Sequence, residues 1–264
     1  MKNKIDIAIE KIKRQNRIGI MTHLVTGYPT LSFSKKIAET LVKSGANIIE
    51  IQIPFSDPMA DGELIVEACQ KSLDNGTQVK DSFKLSKFVD KNLKTPVVII
   101  TYANIIIYMG IENFCVSCKK NGVSGIIVPD LPYDSEECKK LRKYAAEFKI
   151  HIIYVISPAV EDKRLKEIKK LASGFIYCTS RQGITGTGKE FSKNISSYLK
   201  RIRGTSLIPL AVGFGISSLK DIQSITKYSE IVIIGSAIIN VINKSKNSKI
   251  LLSIAKFMAQ LIKR

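Results

Sequence analysis

The chain has 264 residues, of which 45% are hydrophobic, and a formal net charge of +18. This length suits one large core, and α/β barrels often reach it as a single unit, so we expect residues 1–264 to form one domain. The charged N-terminus lacks the apolar core of a signal peptide, the five cysteines are an odd number, and no apolar run approaches the roughly 18 residues of a membrane span. These features argue against a secreted disulfide framework and a membrane protein, and predict a cytoplasmic location.

The basic charge does not by itself indicate nucleic-acid binding. Lys and Arg are spread over nearly every predicted helix, the chain has no Trp, and its aromatic residues are not interleaved with basic ones as a stacking platform requires. We therefore interpret the lysines as solvated helix faces and expect no nucleic-acid partner. The chain has only two histidines, and the Cys115–Cys118 pair has no second pair, so we expect no metal site. We interpret the two cysteines as packing residues.

In chain order, an amphipathic helix comes first, with Ile5, Ile9 and Ile12 on one face. Strand-like and helix-like runs then alternate. The predicted strands are Ile18–Leu24, Ile48–Ile53, Val97–Thr101, Gly125–Val128, His151–Ile156, Phe175–Thr179, Leu207–Val212 and Ile231–Ile234. The predicted helices are Ser34–Lys43, Ile65–Leu73, Ser82–Lys91, Glu112–Lys120, Ser135–Glu147, Glu161–Leu171, Ser192–Arg203, Leu219–Lys227, Ala237–Asn243 and Ser248–Ile262. Eight apolar strands separated by helices favour a (β/α)8 TIM barrel with an extra N-terminal helix over the competing doubly wound sheet.

The second predicted strand carries a carboxylate inside its apolar run. Alternation places Ile48, Glu50 and Gln52 on one face of this strand. Burial raises the pKa of a carboxyl group, which suits a group that gives and takes protons near neutral pH. The structural alternative is a glutamate neutralised by a buried Lys or Arg.

Polar and glycine-rich turns follow the later strands, where barrel enzymes place their active sites. The long polar segment Ser180–Lys189 is typical of a lid that closes over substrate. The turns Gly213–Ser217 and Gly235–Ser236 follow the last two strands. Glycines and helix N-termini at those positions favour a phosphate site, although tight turns alone also use such glycines.

These residues support a family resemblance. The Glu-x-x-Ile-Pro-Phe-Ser-Asp-Pro-x-Ala-Asp-Gly signature at Glu50–Gly62 resembles that of the alpha subunit of tryptophan synthase, and the similarity extends over essentially the whole chain. Further matches lie at Thr26–Pro29, Thr101–Asn104, Val128–Pro132, Ser180–Gly186 and Gly213–Ser217. The resemblance implies a barrel lyase that cleaves indole-3-glycerol phosphate to indole and glyceraldehyde 3-phosphate. This is the half-reaction that the alpha subunit contributes to tryptophan synthase, a carbon–oxygen lyase, in the final steps of L-tryptophan biosynthesis.

The resemblance also implies a partner and residue roles. The partner is the beta subunit, in an α2β2 heterotetramer, and it holds pyridoxal phosphate, so no cofactor is expected in this chain. Glu50 matches the acid/base and Asp61 the carboxylate that stabilises positive charge on the indole nitrogen. Positions matching substrate contacts are Tyr177, Tyr102, Ile100, His23, Thr185 and Phe214. Positions matching the phosphate region are Gly186, Gly215, Gly235 and Ser236. Positions matching segments that face the beta subunit are Pro54, Phe55, Ser56, Asp57 and Asp130.

Some of these positions have plainer interpretations. From the residues alone, Tyr102 and Tyr177 are better explained as barrel residues with satisfied hydroxyls. Asp57 and Asp130 are likewise better explained as turn and cap residues, because Asp readily bonds to local backbone.

The chain also departs from the family pattern at several positions. His23 stands where many relatives carry phenylalanine, Gln52 replaces a small glycine, Glu63–Val66 replaces Pro-Thr-Ile-Gln, and the lid glycines are spaced loosely. We therefore hypothesise that indole binding is altered at His23. The alternative function is a catalytically weakened barrel retained as a non-enzymatic activator of the beta subunit, against which the intact Glu50 and Asp61 argue. A related indole-glycerol-phosphate synthase is disfavoured by the strand-2 signature.

Overall fold

The computed structural model describes residues 2–179, 195–204, 207–213, 215–216 and 218–262. Strands and helices alternate through this part of the chain. The strands are β1 Gly19–Val25, β2 Ile48–Gln52, β3 Val97–Ile100, β4 Val123–Ile127, β5 His151–Ile153, β6 Val155–Ile156, β7 Ile176–Thr179, β8 Leu210–Gly213 and β9 Ile231–Ile234. The helices are α1 Lys4–Arg14, α2 Leu31–Lys43, α3 Glu63–Asp74, α4 Val79–Phe88, α5 Ala103–Met109, α6 Ile111–Lys120, α7 Glu136–Glu147, α8 Asp162–Leu171, α9 Ile195–Arg203, α10 Leu219–Ile225, α11 Ser236–Asn243 and α12 Ile250–Ile262.

The strands form one parallel sheet in the order β5-β4-β3-β2-β1-β9-β8-β7-β6. The two ends of this order, β5 and β6, are consecutive halves of a single stretch that is interrupted at Tyr154. The backbone amide of Tyr177 donates to the Tyr154 carbonyl at 2.9 Å across the interruption. The sheet therefore curls into a nearly closed parallel barrel, and the predicted TIM-barrel fold is confirmed.

Side chains alternate between the inside of the barrel and its helical coat. The inner cluster consists of Ile5, Ile9, Met21, Ile48, Val98, Ile100, Ile127, Ile153, Phe175, Ala211, Ile231 and Ile233. The opposite strand faces and the helices share a larger outer core. The shared face predicted for Ile48, Glu50 and Gln52 is the inner one, so both polar side chains point into the barrel above Ile48.

Helix α1 closes the amino-terminal end of the barrel, which confirms the extra N-terminal helix. Its residues Ile5 and Ile9 belong to the inner cluster. Two polar contacts fasten its first turn: the Asn3 side chain accepts from the Ile5 amide at 2.8 Å, and Lys4 pairs with the buried Asp90. The apolar face read from the sequence therefore packs against the barrel bottom and not against a partner.

Several element boundaries differ from the predicted ones. Helix α5 is absent from the prediction because its isoleucines favour a strand on propensity alone. The fifth predicted strand is two short segments. Helix α4 starts at Val79 rather than Ser82 and gives way to a π turn over Val89–Leu93, after which Lys94 takes a left-handed conformation at φ 54°. Strand β8 starts at Leu210 and not at Leu207. None of these differences moves a described site residue away from the end of the barrel at which the strands have their carboxyl termini.

The two cysteines of α6 lie in the protein core, as expected from the sequence. Cys115 and Cys118 are fully buried in α6 with free thiols, and burial raises the pKa of Cys115 to about 12, which confirms the packing interpretation. Within the described residues, no three His, Cys, Asp or Glu side chains are grouped so as to hold a metal. Over the same ranges, no helix is both long enough and apolar enough to cross a membrane.

Candidate active site

Glu50 lies on the inner face of β2, paired with a histidine on the neighbouring strand. The β1–β2 register places His23 beside Glu50, and His23 Nδ1 lies 3.0 Å from Glu50 Oε2. Both residues are buried, with 3% and 1% of their surface exposed. Among the described residues, the partner of Glu50 is therefore a histidine and not the buried Lys or Arg of the structural alternative.

The surroundings of His23 shift its pKa in opposite directions. Burial alone would lower its pKa, because the imidazolium is poorly solvated in the barrel. The hydrogen bond and negative charge of Glu50, together with the charge of Asp61, outweigh burial and raise the pKa of His23 above its ordinary value. The barrel interior thus contains an imidazole and two carboxylates in electrostatic contact.

Asp61 reaches the same region from the loop that follows β2. Gln52 Nε2 donates to Asp61 Oδ2 at 2.7 Å, and the Tyr102 hydroxyl donates to the same oxygen at 2.8 Å. Burial raises the pKa of Asp61, and the negative charge of Glu50 adds to that shift, whereas His23 and the two hydrogen bonds oppose it. Two carboxylates therefore lie within one polar cluster, each with a donor of its own.

Tyr102 also fastens the loop that carries Asp61. Its hydroxyl accepts from the Ala60 amide at 3.1 Å, and its ring stacks on Phe55 with ring centroids 5.2 Å apart and planes inclined by 22°. Tyr102 is itself almost fully buried. The plain interpretation of Tyr102 as a barrel residue with a satisfied hydroxyl is thus correct in part, but the groups that satisfy it are Asp61 and the Asp61 loop.

Ile100 lies on β3 beside Gln52, whereas Tyr177 lies on β7, across the barrel from β2. Ile100 belongs to the inner cluster, and Tyr177 packs against that cluster. Burial raises the pKa of Tyr177 well above its ordinary value, with further contributions from the charges of Glu50 and Asp61. The Tyr177 ring lies over Gly213, where an added Cβ would stand 2.6 Å from the phenolic oxygen. A glycine at position 213 is therefore what leaves room for Tyr177.

The predicted phosphate positions Gly215, Gly235 and Ser236 lie at the carboxyl ends of β8 and β9. Gly215 has a left-handed conformation at φ 60°, and Gly235 precedes α11 without a side-chain cap. The preceding helix, α10, differs, because the side chain of Ser218 caps its N-terminus. The α11 terminus therefore keeps its amides available in the place where barrels most often bind phosphate.

Three predicted site residues lie outside the described residues: Thr185 and Gly186 of the lid, and Phe214. The predicted lid Ser180–Lys189 lies outside them as a whole. The remaining predicted positions are described. Asp130 accepts from the Ala103 amide at 3.0 Å and 3.2 Å and so caps the start of α5, as the turn-and-cap interpretation held. Pro54 is buried, whereas Phe55 is partly buried and Ser56 and Asp57 are exposed on the Asp61 loop.

The role of Gln52 is the main site feature that the sequence interpretation missed. Gln52 was noted only as a replacement for glycine, yet it is fully buried and bonded to Asp61. The signal was present in the strand alternation, because a residue two positions from Glu50 lies on the same face of β2. The sequence does not show, however, that the loop brings Asp61, nine residues further along, within hydrogen-bond distance of Gln52.

Fold and cluster together define an enzyme class: a parallel β/α-barrel enzyme with acid–base groups at the carboxyl ends of its strands. The profile of the tryptophan synthase alpha chain family matches residues 9–262. The alpha chain of Desulfotalea psychrophila is 37% identical over 243 residues, which cover 90% of this chain and 95% of that relative. The alpha chain of Methanocaldococcus jannaschii is 39% identical over 242 residues, covering 91% and 85% respectively.

Solved structures agree with these relatives. A structure of Mycobacterium tuberculosis tryptophan synthase matches with a TM-score of 0.90 at 27% identity and covers 99% of this chain and 97% of that one. The tryptophan synthase alpha chain of Legionella pneumophila matches with a TM-score of 0.88 at 26% identity, covering 99% and 96%. The chain belongs to the tryptophan synthase alpha chain family, whose members are carbon–carbon lyases that release indole from indole-3-glycerol phosphate in tryptophan biosynthesis. The resemblance drawn from Glu50–Gly62 is thereby confirmed.

Proposed function

We propose that this chain cleaves indole-3-glycerol phosphate, with Glu50 as the acid/base and Asp61 as the carboxylate at the indole nitrogen. Glu50 in its acid form gives a proton to the ring carbon that bears the side chain, and the ring nitrogen becomes positive. Asp61 stabilises that positive charge. The carboxylate of Glu50 then takes the proton of the side-chain hydroxyl, the carbon–carbon bond breaks, and its electrons return to the ring. Indole and an aldehyde are left, and Glu50 has regained its proton.

The observation that carries this proposal is the pair of buried carboxylates in one cluster with different donors. Glu50 is bonded by His23 and Asp61 by Gln52 and Tyr102, so their environments differ although they lie close together. Two carboxylates in distinct environments suit two distinct roles, one that transfers protons and one that stays charged. The apolar inner cluster below them offers a flat indole ring a dry surface, and the α11 terminus offers amides to the phosphate.

The lyase proposal is tested by indole release from indole-3-glycerol phosphate. Glu50→Gln keeps the size of the side chain and removes its proton transfer, so the rate should fall by about 10²- to 10⁴-fold or more. Glu63→Gln is the matched control, because Glu63 is exposed at the start of α3 just beyond the same loop. An unchanged rate in Glu50→Gln would refute the assignment. Wild-type chain that releases no indole, yet stimulates the beta subunit, would instead support the alternative function of an activator.

We further propose that the partner is the beta subunit of tryptophan synthase, bound beside the Asp61 loop. A cavity of about 770 Å³ opens there between α4, α5 and α6, with Phe55, Phe83, Ile105 and Tyr108 among its lining residues. Tyr108 has 94% of its surface exposed and the neighbouring Ile107 has 53%, so the rim of the cavity extends its apolar surface. Phe55 connects this surface to the site, since its ring stacks on Tyr102.

The partner surface is tested with Tyr108→Asp and a beta subunit in sedimentation velocity. Leu207→Asp is the matched control: Leu207 is equally exposed, at 91%, but precedes β8 at the opposite end of the barrel. Tyr108→Asp should weaken association by about tenfold or more, as expected for an aromatic anchor at an interface, and Leu207→Asp should not. Equal association of both variants would contradict the surface. The α2β2 stoichiometry, pyridoxal phosphate in the partner alone, and a cytoplasmic location remain predictions.

A further inference from the structure

Among the described residues, five buried side-chain atoms lack a hydrogen-bond partner, and three of them belong to the polar cluster inside the barrel: His23 Nε2, Glu50 Oε1 and Gln52 Oε1. The other two are the hydroxyls of Thr22 and Thr101. The side chains of His23, Glu50 and Gln52 are at most 3% exposed. A histidine and glutamate that served only to neutralise one another would keep their remaining polar atoms satisfied, because such atoms are costly to bury alone. Their concentration at one point indicates a cluster arranged for a ligand.

The hydrogen bonds of the two carboxylates follow one pattern. Among the described residues, Glu50 Oε2 shares a hydrogen bond with His23 Nδ1, which donates when Nδ1 carries a proton, and Asp61 Oδ2 accepts from both Gln52 and Tyr102. The donors His23 and Gln52 come from the inner faces of adjacent strands, so the rigid barrel wall fixes their positions. Side chains on strands hold a partner more accurately than side chains on loops do.

We propose that His23 is a positioning residue for Glu50, and that Gln52 does the same for Asp61, so that each carboxylate presents its second oxygen to the substrate. The inference rests on the proposed function, since it assumes that these carboxylates act on indole-3-glycerol phosphate. It assigns His23 a role through Glu50, in addition to the pocket role hypothesised from its replacement of phenylalanine.

The positioning role has a chemical consequence at each proton transfer. Once Glu50 Oε1 has given its proton to the ring carbon, the His23 Nδ1–H bond to Oε2 stabilises the carboxylate that remains. That carboxylate then takes the hydroxyl proton through Oε1 without having to turn. One side chain can therefore give a proton and take one back within a single binding event.

The kinetic test separates positioning from pocket shape. His23→Phe keeps a flat ring but has no donor, whereas His23→Asn places an amide N–H near the position of Nδ1. His23→Phe should lower kcat for indole release by about tenfold or more with KM changed less than about threefold, and His23→Asn should recover most of that loss. Equal kcat in the wild type and both variants, or a change confined to KM, would overturn the positioning role.

Gln52 is tested in the same assay with Gln52→Met, which keeps the length of the side chain and removes the donor. Its kcat should fall, but less than that of His23→Phe, because Tyr102 still donates to Asp61. His151→Gln is the control for replacing a histidine, since His151 pairs with Asp6 near the amino-terminal end of the barrel. A Gln52→Met enzyme with unchanged kcat would remove Gln52 from the proposal.

A second measurement does not depend on turnover. The chain has only two histidines, so nuclear magnetic resonance can follow the titration of His23 with little overlap of signals. Glu50→Gln should lower the pKa of His23, because the hydrogen bond and the charge of Glu50 raise it. An equal pKa of His23 in the wild type and in Glu50→Gln would overturn the contact between His23 and Glu50. If the wild type shows the expected titration of His23 but releases no indole, the lyase function and the positioning role are both refuted. The contact between His23 and Glu50 is still supported in that case.

Discussion

Removal of the Tyr102 hydroxyl isolates the link between the Asp61 loop and the barrel. Tyr102→Phe keeps the ring and its stacking on Phe55 but loses the bond to Asp61 at 2.8 Å and the bond from the Ala60 amide at 3.1 Å. A hydrogen bond to a charged group contributes about 1.5–3 kcal/mol and one between neutral groups about 1 kcal/mol. Since Gln52 still donates to Asp61, we expect a loss of about 2–4 kcal/mol in the free energy of unfolding.

The assay is urea unfolding of the full chain, read beside kcat for indole release. Tyr198→Phe is the matched control, because its buried hydroxyl donates to the neutral Ile156 carbonyl at 2.8 Å and lies against the Cys178 thiol, with no carboxylate among these contacts. It should cost about 1 kcal/mol and leave kcat nearly unchanged. Tyr102→Phe should also lower kcat by about tenfold to a hundredfold, because displacement of a catalytic group by about 1 Å is sufficient for such a loss.

The reasoning about Tyr102 would be refuted by equal unfolding free energies for Tyr102→Phe and Tyr198→Phe. An unchanged kcat in Tyr102→Phe would refute the second half, namely that the loop needs this bond to present Asp61. A loss of kcat without any loss of stability would show that the Tyr102 hydroxyl acts on the reaction and not on the loop.

Two further predictions concern stability. Gly27→Ala should lower the free energy of unfolding in urea by more than about 2 kcal/mol, because φ is 84° and a methyl group would overlap two side chains. Gly76→Ala is the control: φ is 77° but the surrounding space is open, so it should cost only the roughly 1 kcal/mol of a left-handed backbone. The raised pKa of His23 means that its bond to Glu50 stabilises the fold fully below the unfolded pKa, about 6.5, and that this contribution is lost as pH rises through the higher folded value. His23→Phe should therefore remove part of the decline in unfolding free energy that sets in as pH rises above about 6.5; an identical decline in both proteins would contradict the shift.

The sequence was most informative where periodicity alone determines geometry. Apolar runs at strand length predicted the parallel barrel, and alternation placed Glu50 and Gln52 inside it. The glycine of Thr26-Gly27-Tyr28-Pro29 is explained by a left-handed turn. These features are local, so a linear pattern is enough to reveal them.

The sequence was least informative where two distant segments meet. No pattern indicates that Gln52 and Tyr102 converge on one oxygen of Asp61, because that contact depends on the path of the loop between β2 and α3. Helix α5 was missed for a related reason. Its isoleucines favour a strand locally, and what begins the helix is the Asp130 carboxylate at the Ala103 amide, 27 residues away.

The closure of the barrel bottom by α1 makes the interior a blind pocket. Because Ile5 and Ile9 fill the lower end, a ring bound above Ile48 has a floor beneath it. Among the described residues, the loop that carries Asp61 borders the other, carboxyl-terminal end of this interior. Phe55 and Tyr102 hold that loop in place, so a partner that binds beside Phe55 contacts a segment bordering the space above the floor.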